Sequence, residues 1–195
     1  MKTLISNTIA KWFKSLGFAG AFRFKALYWA YRITGWHIRH REWDFVLDYL
    51  PPLMKGQVVT VLDVGAARTL FIHELRRRKY CVVGLDLNPY QEKFEPFIVG
   101  DVRKLSLGYT VDFIICISVL EHIEEEQALA IYRMIDALKF GGRLLLTIPT
   151  HEFAQGHPWH GFTKKELEAM LPKEAEIFEY AERMGQICAC IGKVA

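Results

Sequence analysis

The chain has 195 residues, 51% hydrophobic and 24% charged with seven prolines, which is enough to bury a core and excludes a disordered or collagen-like chain. Its net charge of +3 hides an asymmetry: residues 1–41 carry eight basic residues and no acid, whereas the remainder carries 17 basic and 22 acidic residues. No uncharged apolar run approaches the roughly 18 residues that span a bilayer, and no apolar segment near the start is followed by a small-residue cleavage site, so a protein neither secreted nor membrane-spanning is expected.

Residues 1–41 read as a basic, aromatic arm ahead of a domain at 42–195. The eight positive charges are interleaved with nine aromatics from Trp12 to Trp36, and Ile5, Ile9, Trp12 or Phe13, and Leu16 recur at helical spacing with Lys11 and Lys14 off that face. The pattern permits a flap folded over the core. It also permits peripheral membrane contact, with lysines toward anionic headgroups. A nucleic-acid arm, in which basic residues alternate with stacking groups, is the least favoured of the three.

After the arm, Glu42 to Leu50 has helical periodicity and stops at Pro51-Pro52. Strand and helix patterns then alternate: VVTVLDV (58–64), a helix over about 69–79, CVVGLDL (81–87), FIVGDV (97–102), VDFIICIS (111–118) and a helix over about 124–139. Next come a tight turn at Phe140-Gly141-Gly142, RLLLTIP (143–149), a helix over about 163–171, EIFEYAE (176–182) and QICACIGKV (186–194). Continuous apolar strands suit a parallel sheet covered on both faces, and the last two, joined by Arg183-Met184-Gly185, read as a hairpin. The expected fold is α/β: a doubly wound, Rossmann-like seven-stranded sheet, mostly parallel with an antiparallel C-terminal hairpin and helices on both faces. Cys81, Cys116, Cys188 and Cys190 all lie in strand-like runs and form no C-x-x-C pair, as expected of reduced core thiols in a cytoplasmic protein rather than of a disulfide frame or zinc site.

Ligands of such sheets bind at the carboxyl ends of the strands, near the point where strand order reverses. The first strand ends in Asp63-Val64-Gly65, the second in Asp86, placed to accept from two ribose hydroxyls, and the third in Asp101, able to accept from an adenine amino group. A single acid there is often only a turn former or cap; three after three successive strands suggest a site. A nicotinamide dinucleotide needs G-x-G-x-x-G, yet after Gly65 no second glycine occurs until Gly84. Asn88-Pro89-Tyr90 superficially matches a base-amino methylation signature, but that signature belongs after strand four, where this chain has Ile-Ser-Val-Leu.

VLDVGAA, VVGLDLNPY, FIVGDVRKL, VDFIICISVLEHI, ALKFGGRLLLTIPT and FTKKELEAML, in this order, resemble the successive motifs of class I S-adenosylmethionine-dependent methyltransferases over roughly residues 42–195. The resemblance implies S-adenosylmethionine as cofactor. Gly65, with Ala66 and Ala67, would let the backbone approach its methionine part, and Asp63 would orient that turn. Asp86 would hold the ribose hydroxyls and Leu87 pack on adenine; Asp101 and Val102 would read the ring, and Ser118 and Val119 would line the substrate side. Arg68 could pair with the cofactor carboxylate or remain a solvated surface arginine. Alanine at 67 costs little at negative φ and about 1 kcal/mol or more at positive φ.

Methyl transfer needs collinear nucleophile, methyl and sulfur, and a base where the nucleophile must shed a proton. His122 after strand four and His151 in the tract THEFAQGHPWHGF (150–162) are the candidates, histidine titrating near neutrality. The tract's histidine spacings of six and three do not place two ligands on one helix face, and Gly156 and Pro158 make it a loop, so no metal is expected. The function implied is methyl transfer to oxygen of a small-molecule, lipid- or carbohydrate-linked acceptor. A non-catalytic cofactor sensor or scaffold on the same fold is the alternative, motivated by the altered glycine turn, and RNA methylation the least favoured option.

Overall fold

The computed structural model describes residues 39–67, 71–89 and 96–194, together with Ala26 and Trp29. The arm therefore lies almost wholly outside the described residues, and so do Arg68, Thr69 and Tyr90. Helix α1 (Arg39–Tyr49) leads into β1 (Thr60–Val64), α2 (Phe71–Arg77), β2 (Cys81–Asp86), β3 (Phe97–Val99) and β4 (Val111–Ile117). Then follow α3 (Gln127–Asp136), β5 (Leu138–Pro149), the single-turn α4 (His151–Ala154), α5 (Lys164–Met170), β6 (Ala175–Arg183) and β7 (Gln186–Lys193).

The seven strands form one sheet in the order β3-β2-β1-β4-β5-β7-β6. All pairs are parallel except β5 with β7 and β7 with β6. Alternation of side chains along each strand divides the apolar residues between two faces. Leu62, Ile114, Leu144 and Ala189 meet Ile131, Met134 and Leu167 of α3 and α5 on one face. Val61, Ile115, Leu145 and Cys188 meet Val46 and Trp43 of α1 and Ile72 and Leu75 of α2 on the other. Trp43 stacks on Phe71 at 5.8 Å and 7°, joining α1 to α2. The first helix, which the sequence shows only as a lead-in, is thus half of one covering layer.

Three details depart from the sequence reading. The apolar run 97–102 is a strand only to Val99; Asp101 then caps a 3-10 turn, Val102–Lys104, because its carboxylate accepts the Arg103 N–H at 2.9 Å. Phe140-Gly141-Gly142 is not a turn before β5 but an irregularity within it: pairing with β4 jumps from Val111↔Leu138 to Phe113↔Arg143, with Gly141 at φ 74° absorbing the extra residues. Cys81 is exposed at the sheet's amino end, whereas Cys116, Cys188 and Cys190 are buried as expected.

Candidate functional site

Strand order reverses between β1 and β4, and there the chains leave the sheet in opposite directions and open a crevice. A hollow of about 550 Å³ occupies it, a size ordinary for a small-molecule site. Its walls come from the ends of four strands: Gly65 and Ala67 after β1, Asp86 and Leu87 after β2, Asp101 and Val102 after β3, and Ser118 and Val119 after β4, with His122 at its edge.

The β1 turn is built by backbone bonding to β2. Gly65 N–H and Ala66 N–H both donate to Leu85 O, at 2.8 and 3.1 Å. Gly65 sits at φ 69°, and a Cβ there would lie 2.3 Å from Val119 Cγ2, so the turn admits no side chain at this point. Ala67 is at φ 41°, the costly of its two alternatives. Its N–H donates to Asp86 Oδ2 at 2.9 Å, and Asn88 N–H donates to Asp86 Oδ1 at 2.9 Å. Asp86 therefore holds the turn through one oxygen and its own loop through the other, and each oxygen, accepting one backbone N–H, retains acceptor capacity at the wall of the hollow. Leu87 beside it is 66% exposed, an apolar side chain on the hollow's wall.

Asp101 is engaged more heavily than its position at a strand end suggested. Arg103, two residues on, grips both carboxylate oxygens, with Nη2 at 2.7 Å from Oδ2, and that guanidinium holds the Asp101 carboxyl below its ordinary range. Arg103 is itself part of the wall, so this corner is an ion pair rather than a lone acid.

Asp63 and Ala66 lie beneath the hollow rather than in its wall, 5% and 1% exposed. Ala66 fits against the bare backbone of Gly84, where an added Cβ would come within 3.3 Å of it. Below the floor, burial together with the carboxylates of Glu121 and Asp63 pushes the Cys116 thiol well up, so this cysteine is an inert core residue.

The two candidate bases are placed differently. His122 ends a 3-10 turn, Leu120–His122, and lines the hollow. His151 is in α4, half exposed, with Nε2 at 2.9 Å from Glu166 Oε2 of α5, and does not line the hollow. The tract 150–162 that carries His151 is a closed loop: Thr150 bridges Phe162, and His160 N–H donates to Glu121 O at 3.3 Å, fastening it to the 3-10 turn. The loop thereby brings Trp159 edge-on to His122 at 6.0 Å, and His157 stacks on Trp159 at 4.4 Å and 9°. Among the described residues no cluster of three or more His, Cys, Asp or Glu is arranged to hold a metal, and no helix is long and apolar enough to cross a membrane.

Reading strand ends alone missed Glu42, Arg103, Asn88 and Trp159. Asn88 and Arg103 follow strand-end acids by two residues, the spacing at which an Asp side chain takes a backbone N–H, so a turn signal was present. Glu42 and Trp159 are brought in by tertiary contacts with no local signature.

Residues 35–185 match a family described as a methyltransferase domain. No curated protein matches the chain. Among solved structures, the N-methyltransferase NodS from Bradyrhizobium japonicum WM9 with S-adenosyl-L-homocysteine is similar at TM-score 0.64 and 17% identity, covering 80% of this chain and 86% of that one. CalS10, an amino pentose methyltransferase from Micromonospora echinaspora bound to SAM, is similar at 0.65 and 18%, covering 86% and 97%. The 1,6-didemethyltoxoflavin-N1-methyltransferase of Burkholderia thailandensis is similar at 0.58 and 18%, covering 72% and 73%. At these identities the likeness is one of fold.

Proposed function

Since the chain belongs to the methyltransferase-domain family, we propose that it transfers the methyl group of S-adenosylmethionine to a small-molecule, lipid- or carbohydrate-linked acceptor, at oxygen. The observation that carries this reading is the cradle between β1 and β2. A side-chain-free turn at Gly65 adjoins a strand-end carboxylate, Asp86, whose oxygens still have acceptor capacity, next to the exposed apolar Leu87. A ribose diol needs the acceptor, a purine face needs the apolar rim, and the amino-acid end needs close backbone approach, so the residues present fit the cofactor.

When bound there, S-adenosylmethionine supplies a methyl group activated by a positively charged sulfur. Asp86 would accept from the ribose hydroxyls, Leu87 and Val102 would flank the adenine, and the Asp101–Arg103 pair would present polar edges to it. Gly65 and Ser118–Val119, packed against one another, would form the side of the hollow nearest the reacting carbon. His122 is the side chain at the open edge able to take a proton from an attacking hydroxyl, and Trp159 with His157 extends that edge as a ring-lined wall. His151 would act on the loop's position through Glu166 rather than on the acceptor.

Nitrogen is a second reading for the acceptor atom. The carboxylates of Asp86 and Glu124 around the hollow would attract a cationic amine, and two of the similar structures are named as N-methyltransferases. Incubating the protein with S-adenosylmethionine and panels of hydroxylated and amino acceptors, following S-adenosylhomocysteine release and locating the new methyl by mass spectrometry, tests both readings. Turnover with alcohols and its loss in His122→Ala supports oxygen; turnover confined to amines replaces it, and no turnover with any panel member counts against a small acceptor.

A further inference from the structure

One buried carboxylate takes no part in the chemistry described above. Glu42 lies in the first turn of α1 and is 1% exposed. Its Oε1 accepts from Ser118 Oγ at 2.6 Å and from Thr147 Oγ1 at 2.7 Å, partners 76 and 105 residues away in β4's exit and in β5. The Ser118 N–H donates to Thr147 O at 3.0 Å and to Thr147 Oγ1 at 3.2 Å, so Ser118, Thr147 and Glu42 close a ring of hydrogen bonds. An acid in such a place is expensive unless its oxygens are satisfied. An apolar residue would complete the α1 layer at less cost if packing were its whole purpose.

What the ring holds is Ser118, whose φ of 50° lies in the left-handed region that serine seldom adopts. Both the backbone N–H and the side chain of Ser118 are held by hydrogen bonds. The next residue, Val119, lies against Gly65, so closely that a Cβ on Gly65 would fall 2.3 Å from Val119 Cγ2. Ser118 is thus the held residue immediately before the Val119–Gly65 contact.

We propose that Glu42 is a positioning residue for methyl transfer: through Ser118 it fixes the wall formed by Ser118 and Val119 against the Gly65 turn. The proposal rests on the reading of this hollow as the cofactor site. It also gives α1 a function beyond covering the sheet, because a helix that precedes all the strands carries the restraint to the middle of the site.

Titration calorimetry of the full chain with S-adenosylhomocysteine tests it, using wild type, Glu42→Ala, Glu42→Gln, Ser118→Ala and the Glu42→Ala/Ser118→Ala double variant. Glu42→Ala and Ser118→Ala should each weaken binding about tenfold, and the double variant should bind no worse than either single one, since both remove the same restraint. Glu42→Gln should recover most of the loss, because the amide oxygen still accepts both hydroxyls. Unchanged affinity in Glu42→Ala, or losses that multiply in the double variant, overturns the proposal. Should Glu42→Ala fail to fold, Ser118→Ala and Thr147→Val decide it, and wild-type affinity in both is the contrary result. A wild-type chain that binds no S-adenosylhomocysteine overturns the cofactor reading itself, an outcome distinct from binding that Glu42 does not influence.

Discussion

Ala67 combines an unfavourable backbone conformation with a structural duty, since at φ 41° its N–H reaches Asp86 Oδ2. For a residue with a Cβ the left-handed region costs roughly 1–2 kcal/mol, part of which glycine would return as added freedom of the unfolded chain. Ala67→Gly should therefore stabilise the fold by about 0.5–1 kcal/mol, seen as a melting temperature a few degrees higher; a lower one would mean that the methyl group contributes packing. At Gly65 the sign is opposite. Gly65→Ala combines a positive φ with a steric overlap on Val119 and should abolish cofactor binding, as read by calorimetry, even where the variant remains folded. The sequence showed that glycines were missing from this turn but not which of the replacements would be strained, because backbone sign depends on how the turn bonds to β2.

Helix α5 shows how an element's end can be tied to the loop beside the site. Thr163 and Glu166 form a reciprocal capping box, and His151 approaches the same Glu166 oxygen. Hydrogen bonds from the Thr163 hydroxyl and N–H, with His151 adding to them, lower the Glu166 carboxyl to about 2 from an ordinary 4.5. A depressed folded-state value stabilises the fold above the unfolded value, and the contribution disappears as pH falls through the folded one. The stability difference between wild type and Glu166→Gln should accordingly be constant above about pH 5 and shrink between 4.5 and about 2. Thermal melts across that range check it, and a difference independent of pH would remove Glu166 from the cap. The S/T-x-x-E pattern of this cap was present in the sequence as Thr163-Lys-Lys-Glu166. The extension of β5 back to Leu138 was not, since only pairing with Val111 makes a strand of residues that otherwise look like a glycine turn.

The alternation of strands and helices together with the closing hairpin already implied a doubly wound sheet, and the acids at the ends of β1, β2 and β3 pointed to its carboxyl edge. Their division of labour was hidden. Asp63 is buried below the hollow, Asp86 organises two loops, and Asp101 is paired with Arg103. These assignments depend on which neighbours the sheet order brings together. The contribution of α1 was equally invisible, because Glu42 reaches its partners only when the helix is laid across β4 and β5.

Calorimetric titration of wild type and Asp86→Ala with S-adenosylmethionine decides whether the crevice between β1 and β4 takes the cofactor with Asp86 on its ribose. A single site in the wild type, weakened roughly ten- to a hundredfold by Asp86→Ala through loss of hydrogen bonds to a charged acceptor, is the predicted result. Absence of binding in the wild type, or equal affinity in Asp86→Ala, would contradict it.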